Sequence, residues 1–314
     1  MKVYRIKLRP LSAWRTPWQA DTLAGLLCST MARTQGAEAL RREVLEPCLR
    51  GEPPFVLSDA FPGDLLPLPE IVRLQRWSDD SLRQVKRARW LKTDAFRQAQ
   101  RGENVAVGDL LADDVLKPST HLHNTLDRLT DTTGAQGSLY PREETVLIES
   151  QSYLSVYARV EEGFLDTLFV LFRALSDVGF GADVSTGKGQ FEVEATGFEP
   201  VDWLDEVTEV NGVIALSTFQ PNESDPTEGF WEAFAKFGKV GPDFGLKNVF
   251  KRPLVMLRAG ACLFTPERKA ILGRAIDMEG ILSDSNCHRL RGAGVALVHL
   301  AYGLAVPAHF STEG

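Results

Sequence analysis

The sequence has few cysteines, and their positions suggest neither a metal site nor a disulfide framework. Cys28, Cys48, Cys262 and Cys287 are widely scattered, and no two of them form a CxxC pair. No stretch of about 18 apolar residues could span a bilayer, and the opening MKVYRIKLRP alternates apolar with basic residues, unlike a secretory signal. We therefore expect a cytoplasmic protein with no metal, no cofactor and no membrane partner.

The motifs of common nucleotide-binding and hydrolytic enzymes are also missing. The glycine-rich segment GFGADVSTGKGQ, residues 179–190, departs from the P-loop because Lys188 is followed by glycine instead of Ser or Thr. It departs from the dinucleotide pattern GxGxxG because Val184 stands at the third glycine position. The sequence contains no GxSxG elbow. An NTPase, a Rossmann oxidoreductase and an α/β-hydrolase are thus disfavoured.

Positive charge is scarce, since the chain carries a net charge of −7. This argues against a nucleic-acid partner, whose phosphates need Lys and Arg. However, residues 1–150 carry a net charge of +1 and residues 151–314 a net charge of −8. The densest basic run is made of Arg83, Lys86, Arg87, Arg89, Lys92, Arg97 and Arg101. Both a solvated helix face and an RNA contact fit this run.

Apolar spacing predicts two β–α–β passages in the first 200 residues. A strand over residues 3–8 is followed by one or two helices over 21–45, with Asp21 as the helix N-cap. A second strand near residues 153–160 precedes a helix in which Leu165, Leu168, Phe172 and Leu175 form the buried face. Together with a strand from residue 191 to 196, the pattern predicts a ferredoxin-like unit with a large insertion.

The rest of the chain predicts a second unit with little helix. Residues 201–314 contain strand-like runs and weak helical periodicity, so we expect a degenerate, strand-rich copy of the first unit. Residues of about 116–148 are polar and rich in turn formers, which favours a projecting hairpin within the first unit. The predicted fold class is therefore α+β, with two ferredoxin-like (RRM-like) domains, 1–200 and 201–314.

The glycine-rich loop over residues 179–190 has chemistry suited to a phosphate backbone. Its glycines allow close approach of the main chain to a ligand, its Ser and Thr hydroxyls can bond phosphate oxygens, and Lys188 adds positive charge. A flexible connector fits the composition equally well.

Trp14, Arg15 and Trp18 follow the first strand in a segment that could bind single-stranded RNA. Such RNA is held by stacking bases on aromatic or Arg planes, at about 1–3 kcal/mol per stacked base. The competing interpretation is that each tryptophan belongs to the apolar core.

Five segments in order resemble the RAMP superfamily of CRISPR proteins, in particular the Csm-type subunit of type III-A effector complexes that caps the guide RNA. They are PWQADTLAGLLC, HNTLDRLTDTTGAQGSLYPREE, GFGADVSTGKGQFEV, VFKRPLVMLRAGACLF and YGLAVP. The resemblance implies two RAMP domains and a role as a non-catalytic subunit that grips the 5′ handle of the crRNA. It also implies contact with the guide–target duplex, the large signalling subunit and the backbone RAMP subunit.

The resemblance implies roles for individual residues of the loop and the hairpin. Contacts to handle phosphates or bases are expected from Ser185, Thr186, Gly187, Lys188 and Gly189, whereas the hairpin would contribute His123, Arg128 and Tyr140. Two alternatives remain open. Because His121 and His123 share one side of a strand, the chain could be a metal-independent endoribonuclease that processes CRISPR repeat RNA. It could also be a scaffold that binds proteins alone.

Overall fold

The computed structural model describes residues 1–124, 140–148, 151–241, 244, 246 and 249–311. The elements of the first unit are β1 (Lys2–Pro10), α1 (Ala20–Thr34), α2 (Ala37–Leu40), α3 (Glu46–Leu49), β2 (Phe55–Pro62), β3 (Leu65–Pro67), α4 (Asp79–Arg87), β4 (Ala88–Lys92), α5 (Thr93–Gln100), β5 (Leu110–Ala112), β6 (Leu116–His123), β7 (Tyr140–Leu147), β8 (Leu154–Val160), α6 (Leu165–Ser176) and β9 (Phe191–Pro200). Those that follow are β10 (Gly212–Ala215), β11 (Gly229–Phe230), β12 (Ala233–Lys236), β13 (Leu254–Leu257), β14 (Cys262–Phe264), β15 (Ile271–Asp277), α7 (Met278–Ile281), α8 (Asp284–Gly292) and β16 (Val298–Ala308).

The first unit is built on one antiparallel sheet with the strand order β2-β8-β1-β9. Helix α1 connects β1 to β2, and α6 connects β8 to β9. The predicted β–α–β…β–α–β order of the first 200 residues is therefore confirmed, with the insertion between β2 and β8. Strand β9 lies at the edge of the sheet, so the glycine-rich loop that precedes it is also at that edge.

Helix α1 packs on the sheet through an apolar stripe, because Leu23, Leu27 and Met31 recur at four-residue spacing and are buried. The N-terminus of α1 is held by Asp59 of β2, whose carboxylate accepts a hydrogen bond of 2.8 Å from the Ala20 amide. A neighbouring strand thus supplies the partner that a local N-cap would otherwise provide.

The prediction that Asp21 is the N-cap of α1 is wrong. Gln19 occupies the cap position without a side-chain hydrogen bond, and Asp21 lies inside the first turn. Asp21 is 3% exposed. Its carboxylate contacts Lys236 and His299 of the second unit, an interaction that local spacing does not reveal.

Helix α6 buries nearly the predicted face. Leu168, Phe172 and Leu175 are buried as expected, whereas Leu165 is half-buried and Leu171 is buried in addition. The helix is followed by Gly179, whose φ of 101° lies in the left-handed region that favours glycine.

The insertion contains two small sheets. Strands β3, β4 and β5 form a three-stranded sheet, and β6 pairs with β7 in a separate antiparallel hairpin whose register runs from Leu116 opposite Leu147 to His123 opposite Tyr140. The predicted hairpin is confirmed for these strands. A short bridge between Trp14 and Thr145 joins the hairpin to the segment after β1.

The second unit is strand-rich, as predicted. Its main sheet has the order β11-β14-β10-β16-β15, and β12 pairs with β13 in a separate two-stranded ribbon. Between β15 and β16 lie the short helices α7 and α8.

A common apolar core joins the two units. Leu27 and Leu57 of the first unit belong to the same buried cluster as Ile214, Leu216 and Leu304 of the second. The proposed domains 1–200 and 201–314 stay a prediction. Across the described residues, no helix combines the length and apolar composition needed to cross a bilayer.

A buried cluster of charged side chains lies where α1 meets the second unit. The Lys236 ammonium donates to Asp21 at 2.6 Å and to Gln19 at 2.7 Å. His299 Nε2 lies 3.1 Å from the other oxygen of Asp21, and Lys251 Nζ lies 3.0 Å from His299 Nδ1. Burial alone would raise the pKa of Asp21, but its partners His299 and Lys236 outweigh it and lower that pKa to about 2.

This cluster predicts a loss of stability in acid. Burial lowers the pKa of His299, so the folded chain binds a proton there less readily than the unfolded chain. Stability should fall as the pH drops below about 6.5, the ordinary pKa of histidine. A second decrease is expected between an unfolded pKa of 3.8 and the folded value of about 2 for Asp21.

Urea unfolding at pH 7.5 and pH 5.5 measures the first decrease. We expect His299→Gln to make the free energy of unfolding less dependent on pH over this interval. An unchanged pH dependence in His299→Gln would contradict the assignment to this imidazole. The exposed His288 supplies the control, because His288→Gln should leave the pH dependence as it is in the wild type.

Candidate nucleic-acid interface

One face of the β6–β7 hairpin gathers polar and aromatic side chains. Alternation along the two strands places six residues on this face in three cross-strand pairs, Ser119 with Glu144, His121 with Arg142, and His123 with Tyr140. The rings of His123 and Tyr140 are stacked with their centroids 5.9 Å apart. These contacts bring the predicted residues His123 and Tyr140 together. Arg128, also predicted for the hairpin, lies outside the described residues.

The glycine-rich loop is anchored to the segment after β1. The Gly189 amide donates to the Ala13 carbonyl at 2.9 Å, and the Ala182 amide donates to Thr16 Oγ1 at 3.0 Å. Within the loop, Phe180 N–H donates to the Gly189 carbonyl at 2.8 Å. The loop is therefore a fixed turn, and the interpretation as a flexible connector does not fit this geometry.

Two sets of ion pairs join the loop to the hairpin. Asp183 Oδ2 lies 2.5 Å from Arg15 Nη1 and 2.5 Å from Arg142 Nη1. Lys188 Nζ lies 2.6 Å from Glu144 Oε2, whose side chain is 1% exposed. Burial by itself would raise the pKa of Asp183, but the hydrogen bonds from the two guanidinium groups lower it overall. The carboxylates therefore hold three cations in fixed positions at the junction.

Asp183 adopts a left-handed backbone conformation with a φ of 63°, which is unusual for a residue other than glycine. Its carbonyl accepts hydrogen bonds from the Thr186 and Lys188 amides at 3.0 and 3.2 Å. This turn leaves Ser185, Thr186 and Gly187 exposed at its tip. Of the predicted loop residues, these three are exposed, whereas Gly189 is buried and Lys188 is half-buried.

The tryptophans that were expected to stack on bases are core residues. Trp14 is 4% exposed and Trp18 is 6% exposed. Trp18 stacks on Phe180 of the loop at a centroid distance of 3.7 Å, and Phe191 packs against its edge. A base cannot cover the Trp18 ring unless Phe180 moves. The expectation that the tryptophans stack on bases is therefore wrong, and the competing interpretation as core residues is correct. Trp18 therefore supports the loop through its contact with Phe180.

A cleft of about 540 Å³ lies beside this junction. It opens between the first unit, the base of the hairpin and the second unit. The cations and aromatic rings among its lining residues are Trp14, Arg15, Trp18, Phe61, Arg73, Arg89, Trp90 and Arg258. Sequence reasoning found Arg15 and missed Arg73 and Arg258, which are distant along the chain. Arg89 belongs to the basic run and Trp90 follows it directly, so the run was the sequence signal by which these two could be found.

Most cations of the basic run have intramolecular partners. The run spreads over α4, β4 and α5 and does not form a single helix face. Lys92 pairs with Asp109 at 2.9 Å, and Arg97 pairs with Glu206 at 3.0 Å. Arg89 lies 3.9 Å from Glu232 at the rim of the cleft, which is a longer contact than those of Lys92 and Arg97. In the part of the chain that the structure describes, no group of three or more His, Cys, Asp or Glu residues could hold a metal ion.

Comparison with known proteins gives matches of fold. No family model matches the sequence, and no curated protein matches it. Among solved structures, the chain matches a Csm1–Csm4 cassette in complex with cA4 with a TM-score of 0.65 at 18% identity, covering 100% of both chains. The same cassette in complex with pppApA gives a TM-score of 0.64 at 17% identity, again with 100% of both chains covered.

A third structure is the Csm3–Csm4 subcomplex of the type III-A CRISPR-Cas interference complex. It matches with a TM-score of 0.61 at 14% identity, covering 98% of this chain and 99% of that chain. Csm4 is the component that these assemblies share. The chain therefore shares its fold with Csm4 of these assemblies along its length, and the resemblance found in the sequence is confirmed at the level of fold.

Proposed function

We propose that the chain is a RAMP subunit of a type III-A CRISPR-Cas interference complex, in which it binds the 5′ handle of the crRNA without cleaving it. The observation that carries this proposal is the match of fold over 100% of the chain to a structure of the Csm1–Csm4 cassette. In the assembly the chain would contact a large subunit like Csm1 and a backbone subunit like Csm3, the proteins present in the matched structures.

The second sheet supports the proposal of two ferredoxin-like units. The four strands of the first sheet follow one another along the chain as β1, β2, β8 and β9. Numbered 1 to 4 in that sequence, they lie side by side in the order 2-3-1-4. In the second sheet, β11, β14, β10 and β16 stand in the same order. Strand β15 is added beside β16, and no helix separates β10 from β11. These differences are what a degenerate copy of the first unit would have.

The loop and the hairpin support RNA binding through main-chain donors and fixed cations. The exposed tip at Ser185, Thr186 and Gly187 offers hydroxyl groups and a main chain that a phosphate can approach closely. Arg15 and Arg142 are already oriented by Asp183, so little side-chain entropy remains to be lost when RNA binds. Beside them, the cleft is lined by arginines and by the half-buried ring of Trp90, which are the kinds of group that accommodate a splayed base.

Binding of a repeat-derived RNA by the purified full-length chain tests the proposal. With no metal added, we expect saturable binding and an intact RNA after prolonged incubation. Ser185→Asp places a negative charge at the exposed tip of the loop and should weaken binding about tenfold through repulsion of phosphate. Ser224→Asp, in an exposed turn of the second unit, is the matched control and should bind as the wild type does.

Equal affinities for Ser185→Asp, Ser224→Asp and wild type would argue against the loop as an RNA contact. No RNA binding by any of them would favour a scaffold that contacts proteins alone.

One geometric observation favours the endoribonuclease as the second candidate. His121 Nε2 lies 3.1 Å from Ser119 Oγ and 3.8 Å from Glu144 Oε2, and the His121 side chain is 57% exposed. An exposed imidazole beside a carboxylate can act as a general acid or base. Metal-independent cleavage that disappears in His121→Ala would replace the non-catalytic proposal with this one.

A further inference from the structure

The ribbon formed by β12 and β13 has two apolar faces, of which one is covered. On the inner face, Phe234, Leu254 and Met256 pack into a buried cluster of the second unit. Lys236, next along β12 on this side, is tied to Asp21 of α1. The inner face therefore fixes the ribbon rigidly to both units of the chain.

The outer face of the ribbon is apolar and largely exposed; its one buried member, Leu257 opposite Ala233, is 7% exposed and packs in a separate apolar cluster with Phe219. Strand alternation puts Ala233 and Ala235 on this face, and the register sets Ala235 opposite Val255. Val255 is 62% exposed. Just beyond the two ends of β12, Trp231 is 41% exposed and Phe237 is 69% exposed. Exposed apolar side chains grouped in this way mark an interaction surface.

The polar side chains around this face favour a protein partner over RNA. Arg258 pairs with Glu232 at 2.9 Å, and Arg252 pairs with Asp284 at 3.1 Å. Each of these arginines has one carboxylate beside it, so the rim carries both signs of charge in balance, whereas a phosphate backbone needs an excess of cations. An apolar centre that includes aromatic rings, inside a polar rim, is typical of a protein–protein interface.

Charge also distinguishes between protein partners. A cation near the Phe237 end is Lys239, which lies over the ring of Phe250 at 5.0 Å. Such a rim suits an apolar surface flanked by acidic groups. A second copy of the chain is disfavoured, because each copy carries a net charge of −7.

We propose that the outer face of the β12–β13 ribbon, defined by Trp231, Ala233, Ala235, Phe237 and Val255, docks the large protein subunit of the assembly. This inference rests on the proposed function. A cassette of only two proteins has to be held by their own contact, and a stable contact of this kind needs an apolar centre. Because Lys236 connects the same ribbon to α1, binding of the large subunit to this face would also constrain the first unit, which carries the RNA site.

Two variants of the full-length chain test the docking face. Phe237→Ser changes a side chain outside the strands, and Val255→Asp puts a charge at the centre of the face. We expect each to weaken binding to the purified large subunit at least about tenfold, as for central interface residues. Affinity for the repeat-derived RNA should stay within about twofold of the wild type. Val170→Asp is the control, because Val170 is 54% exposed on α6 and its replacement should change neither affinity.

Each other result overturns the inference. Wild-type affinity of Phe237→Ser for the large subunit would mean that the subunit docks elsewhere. A tenfold loss of RNA affinity in that variant would mean that the ribbon is an RNA-binding surface. If the wild type sediments as a dimer and the variant as a monomer, the ribbon is a contact between two copies of the chain. If the wild type binds neither RNA nor the large subunit, the proposed function fails as well. If the wild type binds both RNA and the large subunit and the variants bind both equally well, only the inferred docking face is wrong and the proposed function stands.

Discussion

Gly189→Ala is expected to destabilise the chain by about 2–4 kcal/mol and to abolish tight binding of the repeat-derived RNA. A Cβ at this position would lie 1.9 Å from the Phe180 carbonyl oxygen and 2.9 Å from its carbon, and Gly189 has a φ of +67°. The obstacle is backbone, so the loop itself must move. Such a shift breaks the hydrogen bonds of Gly189 to Ala13 and of Phe180 to Gly189. It also displaces Phe180 from its stack on Trp18.

Gly187→Ala separates the steric effect from the effect of removing a glycine. Gly187 has a φ of +83°, but a Cβ there meets nothing within 4 Å. Only the left-handed conformation is penalised, at about 1–2 kcal/mol. Urea unfolding and RNA titration of the two variants give the comparison. If Gly189→Ala costs no more than Gly187→Ala and binds RNA equally well, the close packing of the loop does not matter for binding.

The first unit could be predicted from the sequence because its signals are local. The four-residue spacing of Leu23, Leu27 and Met31 makes α1 recognisable, and α6 shows the same kind of stripe. The loop over residues 179–190 is recognisable by its four glycines, all of which have a positive φ. Its position at the sheet edge then follows from the order of the elements.

The site could be predicted only in part because its contacts are distant in sequence. Lys188 was expected to meet phosphate, but its partner is the buried carboxylate of Glu144, which lies in the hairpin of the insertion. Trp14 and Trp18 follow a strand in a segment that reads like an exposed loop. Trp18 is buried by Phe180 and Phe191, which lie more than 160 residues later in the chain, and Trp14 packs against the edge of Trp18. Composition shows that such groups exist, whereas only the fold decides which of them meet.

The same limitation explains the error at Asp21. A carboxylate two positions into a helix resembles an N-cap, and nothing nearby in sequence indicates that Lys236 will reach it from a strand of the second unit. The second half of the chain, residues 151–314, carries a net charge of −8. It nevertheless supplies cations at two important places, Lys236 at the buried cluster and Arg258 at the cleft.

Lys236→Met is expected to destabilise the chain by about 3–5 kcal/mol, the cost of leaving a buried carboxylate without its cation. The side chain of Asp21 has 0% exposure and that of Lys236 has 15%. Methionine keeps much of the length of lysine, so the loss measures the charge more than the packing. Since Lys236 joins the ribbon to α1, the ribbon should also become more mobile relative to the first unit, which hydrogen exchange of the β12 amides would detect.

Two further variants distinguish a specific pair from a general effect of removing lysine. Lys239→Met removes a cation that lies over the exposed ring of Phe250 and should cost about 1 kcal/mol at most. Combining Lys236→Met with Asp21→Asn removes both charges, so the double variant should be more stable than Lys236→Met alone. A double variant that is less stable by the sum of the single effects would mean that the two charges act independently. The contact between α1 and the ribbon would then not depend on the pairing of Lys236 with Asp21.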